Sequence, residues 1–297
     1  MKRRIFRAAP LILIRTRFVS SSSNHTGFPP DLYFRQLSPG RDIATTRSRV
    51  HSFAQQMANY IYVIGDRSTK EAVVIDGGWD PKGIAAVVLK DGMNLKAHIA
   101  THYHWDHIGA AEKQGLRIPG LKDWIEEYQL PAWVPEWEID VAAAQIDVPT
   151  EHLSPISHAQ CMKLGRFGLD FIHTPGHSPG SMCIRVSDRP RGNEANNSLS
   201  LEYEKEHGRE NGNEVKDLLL VTGDTVFPGS CGRLDLPDSD PLIMYDSLKK
   251  VAALPDDLPL FPGHSYSGPS STIRREKATG LLRSDITREQ WKRMMVR

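Results

Sequence analysis

The feature that most restricts the fold of this 297-residue chain is a cluster of histidines directly after a short apolar stretch. Residues 97–100 are typical of a buried strand, and His102, His104, Asp106 and His107 follow it. Side chains two positions apart in an extended chain point to the same side, so the first two histidines converge on one point. A turn into a following helix brings the aspartate and the third histidine to a neighbouring point. Imidazoles with one carboxylate suit Zn²⁺ or Fe²⁺ better than Ca²⁺ or Mg²⁺, which prefer oxygen ligands.

Three later segments end a predicted strand in a residue of the same chemistry. His177 follows a strand in a turn that contains Pro and Gly, and Asp224 and His264 each follow a further apolar strand. Ligands and catalytic groups of α/β proteins gather beyond the carboxyl ends of strands. We therefore expect all these side chains to meet, in a number sufficient for two metal ions. His173 lies inside its strand, where we expect a core or supporting role.

Short β-branched runs alternate with helical patterns along the chain, which indicates an α/β layered architecture. The predicted strands are 57–64, 71–75, 97–100, 169–172, 182–186, 218–221 and 258–261, and the predicted helices are 80–89 and 241–253. Residues 120–140 contain three tryptophans, which we expect to pack a helical segment onto the core. A cover over a substrate pocket or a dimer contact is the alternative for this segment.

The first 30 residues are basic, rich in serine and free of acid, which is the composition of a mitochondrial or plastid transit peptide. We expect 1–30 to be a leader that directs the protein to the mitochondrial matrix. A plastid or cytoplasmic location, the latter with a basic tail that targets nothing, is the alternative. Residues 31–297 then form one domain, with a polar insertion at 187–217 and a helical C-terminal tail at 269–297.

Charge and composition exclude several classes of protein. Without the six bases of the leader, 31 Lys and Arg face 36 Asp and Glu, a net charge of −5 that gives no reason to expect a nucleic-acid partner. No apolar run approaches the roughly 20 residues that cross a bilayer, so stable membrane insertion is not expected. Three dispersed cysteines, none in a CxxC pair, exclude a disulfide scaffold and a cysteine-based zinc ribbon.

In these segments the sequence resembles the metallo-β-lactamase fold superfamily, and within it glyoxalase II (hydroxyacylglutathione hydrolase). The motifs that carry the resemblance are THYHWDH at 101–107, TPGHSPGS at 174–181, GDTVFPGSCGR at 223–233, MYDSLKKVAALPDD at 244–257 and PGHSYSG at 262–268. The resemblance implies a four-layer αβ/βα sandwich, in which helices cover two facing sheets and the metals lie at one sheet edge.

The resemblance also implies a role for each site residue. Two divalent metal ions, with Zn²⁺ expected and Fe²⁺ as the alternative, would be held by His102, His104 and His177 on the first, by Asp106, His107 and His264 on the second, and by Asp224 on both. Asp106 and Asp224 are the expected catalytic carboxylates. Arg233 and Tyr266 match the residues that hold glutathione in glyoxalase II. Asp76 matches an aspartate that braces the metal loop.

The activity implied by glyoxalase II is hydrolysis of a glutathione-derived thioester by a water that the metals activate. The alternative is a persulfide dioxygenase, a family that holds one iron with the equivalents of His102, His177 and Asp224. Asp235 and the short C-terminal region favour the dioxygenase, whereas Trp105 and residues 244–257 favour the hydrolase. A nuclease of the same fold is disfavoured by the acidic charge, and no GxSxG motif of a serine hydrolase is present.

Two further expectations concern residues near the site. Arg274, Arg275 and Lys277 either replace the basic residues that glyoxalase II places in its longer C-terminal region, or form a solvated helix face. Cys231 is expected to be structural, because a metal-dependent hydrolase does not need a nucleophilic thiol.

Overall fold

The structure is a computed structural model that describes residues 27–189, 201–203, 209–210 and 213–295. Most of the predicted leader at 1–30 and most of the predicted insertion at 187–217 lie outside the described residues. Among the helices of the described ranges, none combines the length and the apolar character needed to cross a bilayer.

The described chain alternates strands and helices. In chain order these are β1 (Leu32–Leu37), α1 (Arg49–Met57), β2 (Ile61–Asp66), β3 (Glu71–Ile75), α2 (Pro81–Lys90), β4 (Asn94–Ile99), α3 (Trp105–Ile108), β5 (Ala110–Lys113), β6 (Leu116–Ile118), α4 (Leu121–Glu126), β7 (Ala132–Pro135), α5 (Ile139–Ile146), β8 (Leu153–Ile156), β9 (Gln160–Leu164), β10 (Phe167–His173), β11 (Met182–Asp188), β12 (Leu201–Tyr203), β13 (Arg209–Glu210), β14 (Asn213–Glu214), β15 (Lys216–Gly223), α6 (Pro241–Ala252), β16 (Pro259–Pro262), β17 (Ser271–Thr272), α7 (Ile273–Thr279) and α8 (Arg288–Met295). Short 3₁₀ helices cover Glu136–Glu138 and Thr150–His152.

Two mixed sheets are formed by these strands. The first has the order β1-β2-β3-β4-β7-β8, and the second has the order β12-β9-β10-β11-β15-β16-β17. In the second sheet β10 and β15 are each antiparallel to β11, and β15 is parallel to β16. The carboxyl ends of β10, β15 and β16 therefore lie at one edge of the sheet, which is where their loops carry the predicted site residues.

The two sheets pack face to face, because alternate residues of their strands share one core. Tyr62 and Ile64 of β2 lie in the same cluster as Phe171 of β10 and Val221 of β15. Since both faces of each sheet are covered, the strands are apolar on both sides rather than alternating with polar residues.

Helices cover the outer face of each sheet. Ile61 of β2 packs in one cluster with Ile84 of α2 and Ala54 of α1, while on the other sheet Leu220 of β15 packs with Leu248 of α6. The four layers of the expected αβ/βα sandwich are thus present, and the predicted α/β class is confirmed.

Most of the predicted elements lie within a few residues of the observed ones, but the predicted strand 57–64 was wrong at its start. Met57 is the last residue of α1, and β2 begins only at Ile61. The Ser48 hydroxyl accepts a hydrogen bond from the His51 N–H and begins the helix, and Ala58 in the left-handed conformation (φ 58°) ends it. The apolar run alone did not distinguish this helix end from a strand.

The described parts of the 187–217 insertion include regular structure at its edges. β11 extends to Asp188 and β15 begins at Lys216, so both strands reach into the predicted loop. Leu201–Tyr203 pairs with β9 as the edge strand of the second sheet. The C-terminal tail contains β17, α7 and α8, and Trp291 of α8 is fully buried against α6.

Candidate metal centre

Four loops at one end of the sandwich bring the predicted site residues together. They follow β4 in the first sheet and β10, β15 and β16 in the second. His104 is partly buried, and each of the other six side chains lies in a residue at most 7% exposed. Buried carboxylates need a positively charged or hydrogen-bonding partner, and buried imidazole nitrogens need a hydrogen bond or a metal ion. A cation would satisfy both kinds of side chain.

A first group consists of three imidazoles. One ring nitrogen from each of His102, His104 and His177 lies within 4.8 Å of the other two. The distance between His104 Nδ1 and His177 Nε2 is 2.9 Å. His102 Nε2 is buried and has no hydrogen-bond partner among the described residues. An unpartnered imidazole nitrogen facing two others is the arrangement of a metal site.

A second group combines a carboxylate with two imidazoles. The His107 and His264 Nε2 atoms are 3.2 Å apart, and Asp106 Oδ2 lies 3.6 Å from the former and 3.4 Å from the latter. Ligand atoms around a tetrahedral Zn²⁺ with bonds of about 2.1 Å lie about 3.4 Å apart. The triangle therefore has the dimensions of one face of such a site.

Asp224 lies between the two groups. Its Oδ2 is 3.4 Å from both His177 Nε2 and His264 Nε2, and its Oδ1 is 3.5 Å from His107 Nε2. The Oδ1 atom is buried without a hydrogen-bond partner in the described part of the chain. This one carboxylate thus reaches nitrogen atoms of both groups, as a bridging ligand must.

The second ring nitrogens of four histidines are held by the protein, which fixes the orientation of each ring. The partners are Thr101 Oγ1 for His102 Nδ1 at 3.0 Å, Asp76 Oδ2 for His107 Nδ1 at 2.9 Å, the Arg233 carbonyl for His177 Nδ1 at 2.8 Å and the Met57 carbonyl for His264 Nδ1 at 2.7 Å. In every case the Nε2 atom is the one left facing the centre. Asp76 is itself held, because the Thr101 N–H and hydroxyl each donate to it at 2.7 Å.

The charges of the site pull the pKa values of its two halves apart. Burial, followed by the neighbouring imidazoles, holds the pKa of His102 well below its usual value. Burial and His177 lower the pKa of His104 to about 4. Burial opposes protonation of His107 as well, but the carboxylates around it outweigh burial and raise its pKa to about 10. His102 and His104 of the first group therefore present neutral imidazoles at neutral pH. The carboxylates of the second group form a negative cavity that binds either a proton on His107 or a cation.

Asn59 is a site residue that the sequence did not reveal. Its Nδ2 donates to Asp106 Oδ2 at 3.1 Å, and its Oδ1 accepts from Trp79 Nε1 at 3.0 Å. The indole fixes the orientation of the amide, so that a donor faces the second group. A β-bridge between Asn59 and His264 brings the residue to the site, and no local pattern predicts this long-range contact.

The two residues expected to hold glutathione lie at the rim of the centre. The Tyr266 ring stacks on the His264 ring, with centroids 4.6 Å apart and an angle of 11° between the planes. Tyr266 is 57% exposed. Arg233 is also exposed and forms a two-pronged ion pair with Asp235, with N–O distances of 2.9 and 3.0 Å. An incoming carboxylate must therefore compete with Asp235 for this guanidinium.

Two of the three basic residues considered in the C-terminal region pair with acidic residues of the chain. Arg274 Nη2 lies 2.7 Å from Asp257, and Lys277 Nζ lies 2.6 Å from Asp256. This arrangement fits the solvated helix face rather than a glutathione site. Burial, with the charge of Asp224, raises the pKa of the Cys231 thiol to about 12. The thiol is protonated at neutral pH, in agreement with a structural role.

His173 occupies the end of β10 rather than the core. Its ring stacks on Trp137 with centroids 3.7 Å apart, and its Nε2 donates to the Pro179 carbonyl at 2.8 Å. It thus supports the loop that carries His177. Of the other tryptophans in 120–140, Trp124 is fully buried and donates to the Gly77 carbonyl.

Comparison with known proteins agrees with this geometry. Residues 55–190 match the family model described as the metallo-β-lactamase superfamily. The chain is 26% identical to the probable polyketide biosynthesis zinc-dependent hydrolase BaeB of Bacillus velezensis, over 80% of this chain and 85% of that protein. It is 24% identical to the mitochondrial persulfide dioxygenase ETHE1 of Mus musculus, over 82% of this chain and 78% of that protein.

Solved structures give the same fold. A metallo-β-lactamase from Staphylococcus aureus superposes with a TM-score of 0.66 at 23% identity, covering 89% of this chain and 67% of that one. ETHE1 from Myxococcus xanthus superposes with a TM-score of 0.61 at 22% identity, covering 89% of each chain. Divalent metals, zinc or iron, are bound by proteins of this fold. The match of residues 55–190 identifies a metallo-β-lactamase superfamily domain in this part of the chain.

Proposed function

We propose that this protein is a metal-dependent hydrolase that cleaves glutathione-type thioesters and holds two divalent metal ions, expected to be Zn²⁺. The observation that carries the proposal is the position of Asp224, whose two carboxylate oxygens reach histidines of both groups. His102, His104 and His177 would hold the first ion, and Asp106, His107 and His264 the second. The unpartnered His102 Nε2 and Asp224 Oδ1 fit these roles.

When bound, divalent ions lower the pKa of water toward 7 and polarise a carbonyl oxygen, which is the chemistry that thioester hydrolysis needs. The residues of the chain prepare the site for it. Burial would raise the pKa of Asp224, but His264 and His107 outweigh burial and hold it well below its usual value. Asp224 therefore stays ionised and keeps its negative charge for the cations. Asp106, whose pKa is also lowered by His107 and His264 against the effect of burial, does the same.

Substrate contacts are proposed for the rim. Partial burial, with the charges of Asp106 and Asp224, raises the pKa of Tyr266 to about 12, so its hydroxyl stays protonated and can donate a hydrogen bond. Arg233 would exchange its partner Asp235 for a carboxylate of the glutathione part. A location in the mitochondrial matrix is supported by the basic leader and by the mitochondrial ETHE1 relatives. Nucleic acid and membrane are not proposed as partners.

A persulfide dioxygenase with one iron is the second candidate function. Similarity to ETHE1 over 82% of the chain favours it, as does Asp235 beside Arg233. Similarity to a zinc-dependent hydrolase over 80% of the chain favours the first proposal. Both reactions need metal ions near the same histidines. The two candidate functions are therefore distinguished by the residues at the rim and by the kind and number of metal ions bound.

Metal analysis with paired assays tests the proposal. The purified protein is analysed for zinc and iron and then assayed with a glutathione thioester and with glutathione persulfide, the latter by oxygen uptake. We expect two divalent ions per chain and thioester hydrolysis that a chelator abolishes and zinc restores. One iron per chain, with oxygen uptake and without thioester hydrolysis, would replace the hydrolase by the dioxygenase.

A further inference from the structure

We infer that Glu138 is a positioning residue that holds the two loops of the first histidine group in register. It lies at the end of the short 3₁₀ helix that connects β7 to α5, is only 1% exposed and has no role in the reaction proposed above. The inference rests on the assignment of His102, His104 and His177 as metal ligands.

The two oxygens of the Glu138 carboxylate bind different loops. Oε2 accepts a hydrogen bond from the Tyr103 N–H at 2.8 Å, and Tyr103 lies between His102 and His104 in the chain. Oε1 accepts from the Gly180 N–H at 2.7 Å, in the loop that carries His177. One rigid carboxylate thus fixes the distance between a first-sheet loop and a second-sheet loop.

Close packing at Gly180 shows how tightly this contact is made. A Cβ atom at Gly180 would lie 2.7 Å from both Cγ and Cδ of Glu138 and 2.9 Å from Pro135 Cβ. Real Cβ atoms do not approach so closely, so only glycine lets the backbone reach the carboxylate.

The same peptide group is held from its other side. The Pro179 carbonyl, which shares a peptide bond with the Gly180 N–H, accepts a hydrogen bond from His173 Nε2 at 2.8 Å. His173 in turn stacks on Trp137, the residue before Glu138. Because a peptide unit is planar, binding both its oxygen and its N–H fixes its orientation. His177 lies two residues before this fixed peptide.

The chemistry of Glu138 fits a positioning residue better than a residue that only fills the core. In the described ranges no Lys or Arg pairs with it, and burial raises its pKa to about 7 against the hydrogen bonds from Ser178, Gly180 and Tyr103. An unpaired buried acid is costly, and an apolar side chain would fill the space at lower cost. A carboxylate, however, offers two acceptors to two N–H donors, and no apolar residue does.

The test measures zinc binding in two backgrounds that separate the groups. His264→Ala removes a ligand of the second group and leaves the first intact, while His104→Ala does the reverse. Glu138→Ala and Glu138→Gln are added to each background, and apo-protein is titrated with Zn²⁺ by calorimetry. We expect Glu138→Ala to weaken zinc binding about 10- to 100-fold in the His264→Ala background and to leave it unchanged in the His104→Ala background. Glu138→Gln keeps one acceptor and should have a smaller effect.

A matched control is Glu276→Gln, because Glu276 is also 1% exposed and accepts from a backbone N–H, that of Gly229, at 2.8 Å. It should lower the melting temperature without changing zinc affinity in either background. Equal zinc affinity with and without Glu138→Ala, or equal losses of zinc affinity in both backgrounds, would overturn this inference and leave the proposed function unaffected. A parent chain that binds no zinc would overturn the proposed function together with it.

Discussion

Asp76→Asn tests how the protein orients its ligands, because the substitution keeps the shape of the side chain and changes one oxygen to an N–H₂ group. Asp76 is 2% exposed and accepts from the Thr101 N–H and hydroxyl and from His107 Nδ1. In the variant, the amide NH₂ donates to His107 Nδ1. The ring proton must then move to Nε2, the nitrogen that faces the second group, and a protonated nitrogen cannot bind a metal.

The size of the effect follows from the contacts that are lost. Loss of the carboxylate that holds a metal-binding histidine typically lowers metal affinity 10- to 100-fold, which corresponds to about 1.4 to 2.7 kcal/mol. The hydrogen bond from the Thr101 N–H can persist, because the remaining oxygen accepts it. We therefore expect the fold to survive and the loss to concentrate on one of two equivalents of zinc.

The assay is a competition of zinc between the apo-protein and a chelator of known affinity, combined with thermal unfolding. Asp170→Asn is the matched control, since Asp170 is 1% exposed and pairs with Arg185 and Arg189 in the second sheet. It should lower the melting temperature and leave both zinc affinities unchanged. If Asp76→Asn binds both equivalents with the affinity of the wild type, the orienting role of Asp76 is wrong.

Four further outcomes are expected. Asp224→Ala should lose metal and thioesterase activity together, and full metal content by elemental analysis would contradict its bridging role. Zinc uptake should release protons, and zinc affinity should increase from pH 6 to pH 8. The pKa of His107 is raised to about 10, so its ring is protonated at neutral pH and the ion must displace that proton. Calorimetry in buffers of different ionisation enthalpy measures the proton release. Arg233→Ala should raise KM for a glutathione thioester about tenfold at constant kcat, whereas Asp235→Asn, which frees the guanidinium, should not raise KM. Equal KM values for Arg233→Ala and the wild type in steady-state assays would refute the contact between Arg233 and the substrate. Replacing residues 190–214 by a short Gly-rich turn should leave kcat unchanged. The eight residues of β15 separate Lys216 from Gly223 at the site end of the strand by about 25 Å. Loss of turnover in a folded variant would show that this segment contributes to activity.

Local signals made part of this fold predictable. Asp80 and Asp240 each precede a proline and cap α2 and α6, and the observed helices begin at that proline. The strand-end positions of His177 and His264 followed from apolar runs that stop at Gly-containing turns. In these cases the determining contacts lie within a few residues, so the sequence pattern contains them.

Other parts depend on contacts between distant residues and were not predictable. Asn59 reaches Asp106 across 47 positions, and Glu138 reaches Gly180 across 42. Neither has a spacing that distinguishes it from an ordinary polar residue. The same limit applied to Arg274, for which the sequence left two roles open, because its partner Asp257 lies 17 positions away.

The site divides into a part that the fold constrains and a part that it does not. The site histidines and Asp224 lie beyond the ends of core strands, where all but His104 are buried. Four of the histidines have their second ring nitrogen held by residues such as Thr101, so a change in one of these four disturbs several contacts at once. Arg233 and Tyr266, in contrast, are exposed at the rim, where substitution costs little stability. In a domain built in this way the buried histidines and Asp224 are constrained by the fold, while the rim is free to change the substrate. A division of this kind is consistent with the similarity of the chain both to a zinc-dependent hydrolase and to a persulfide dioxygenase.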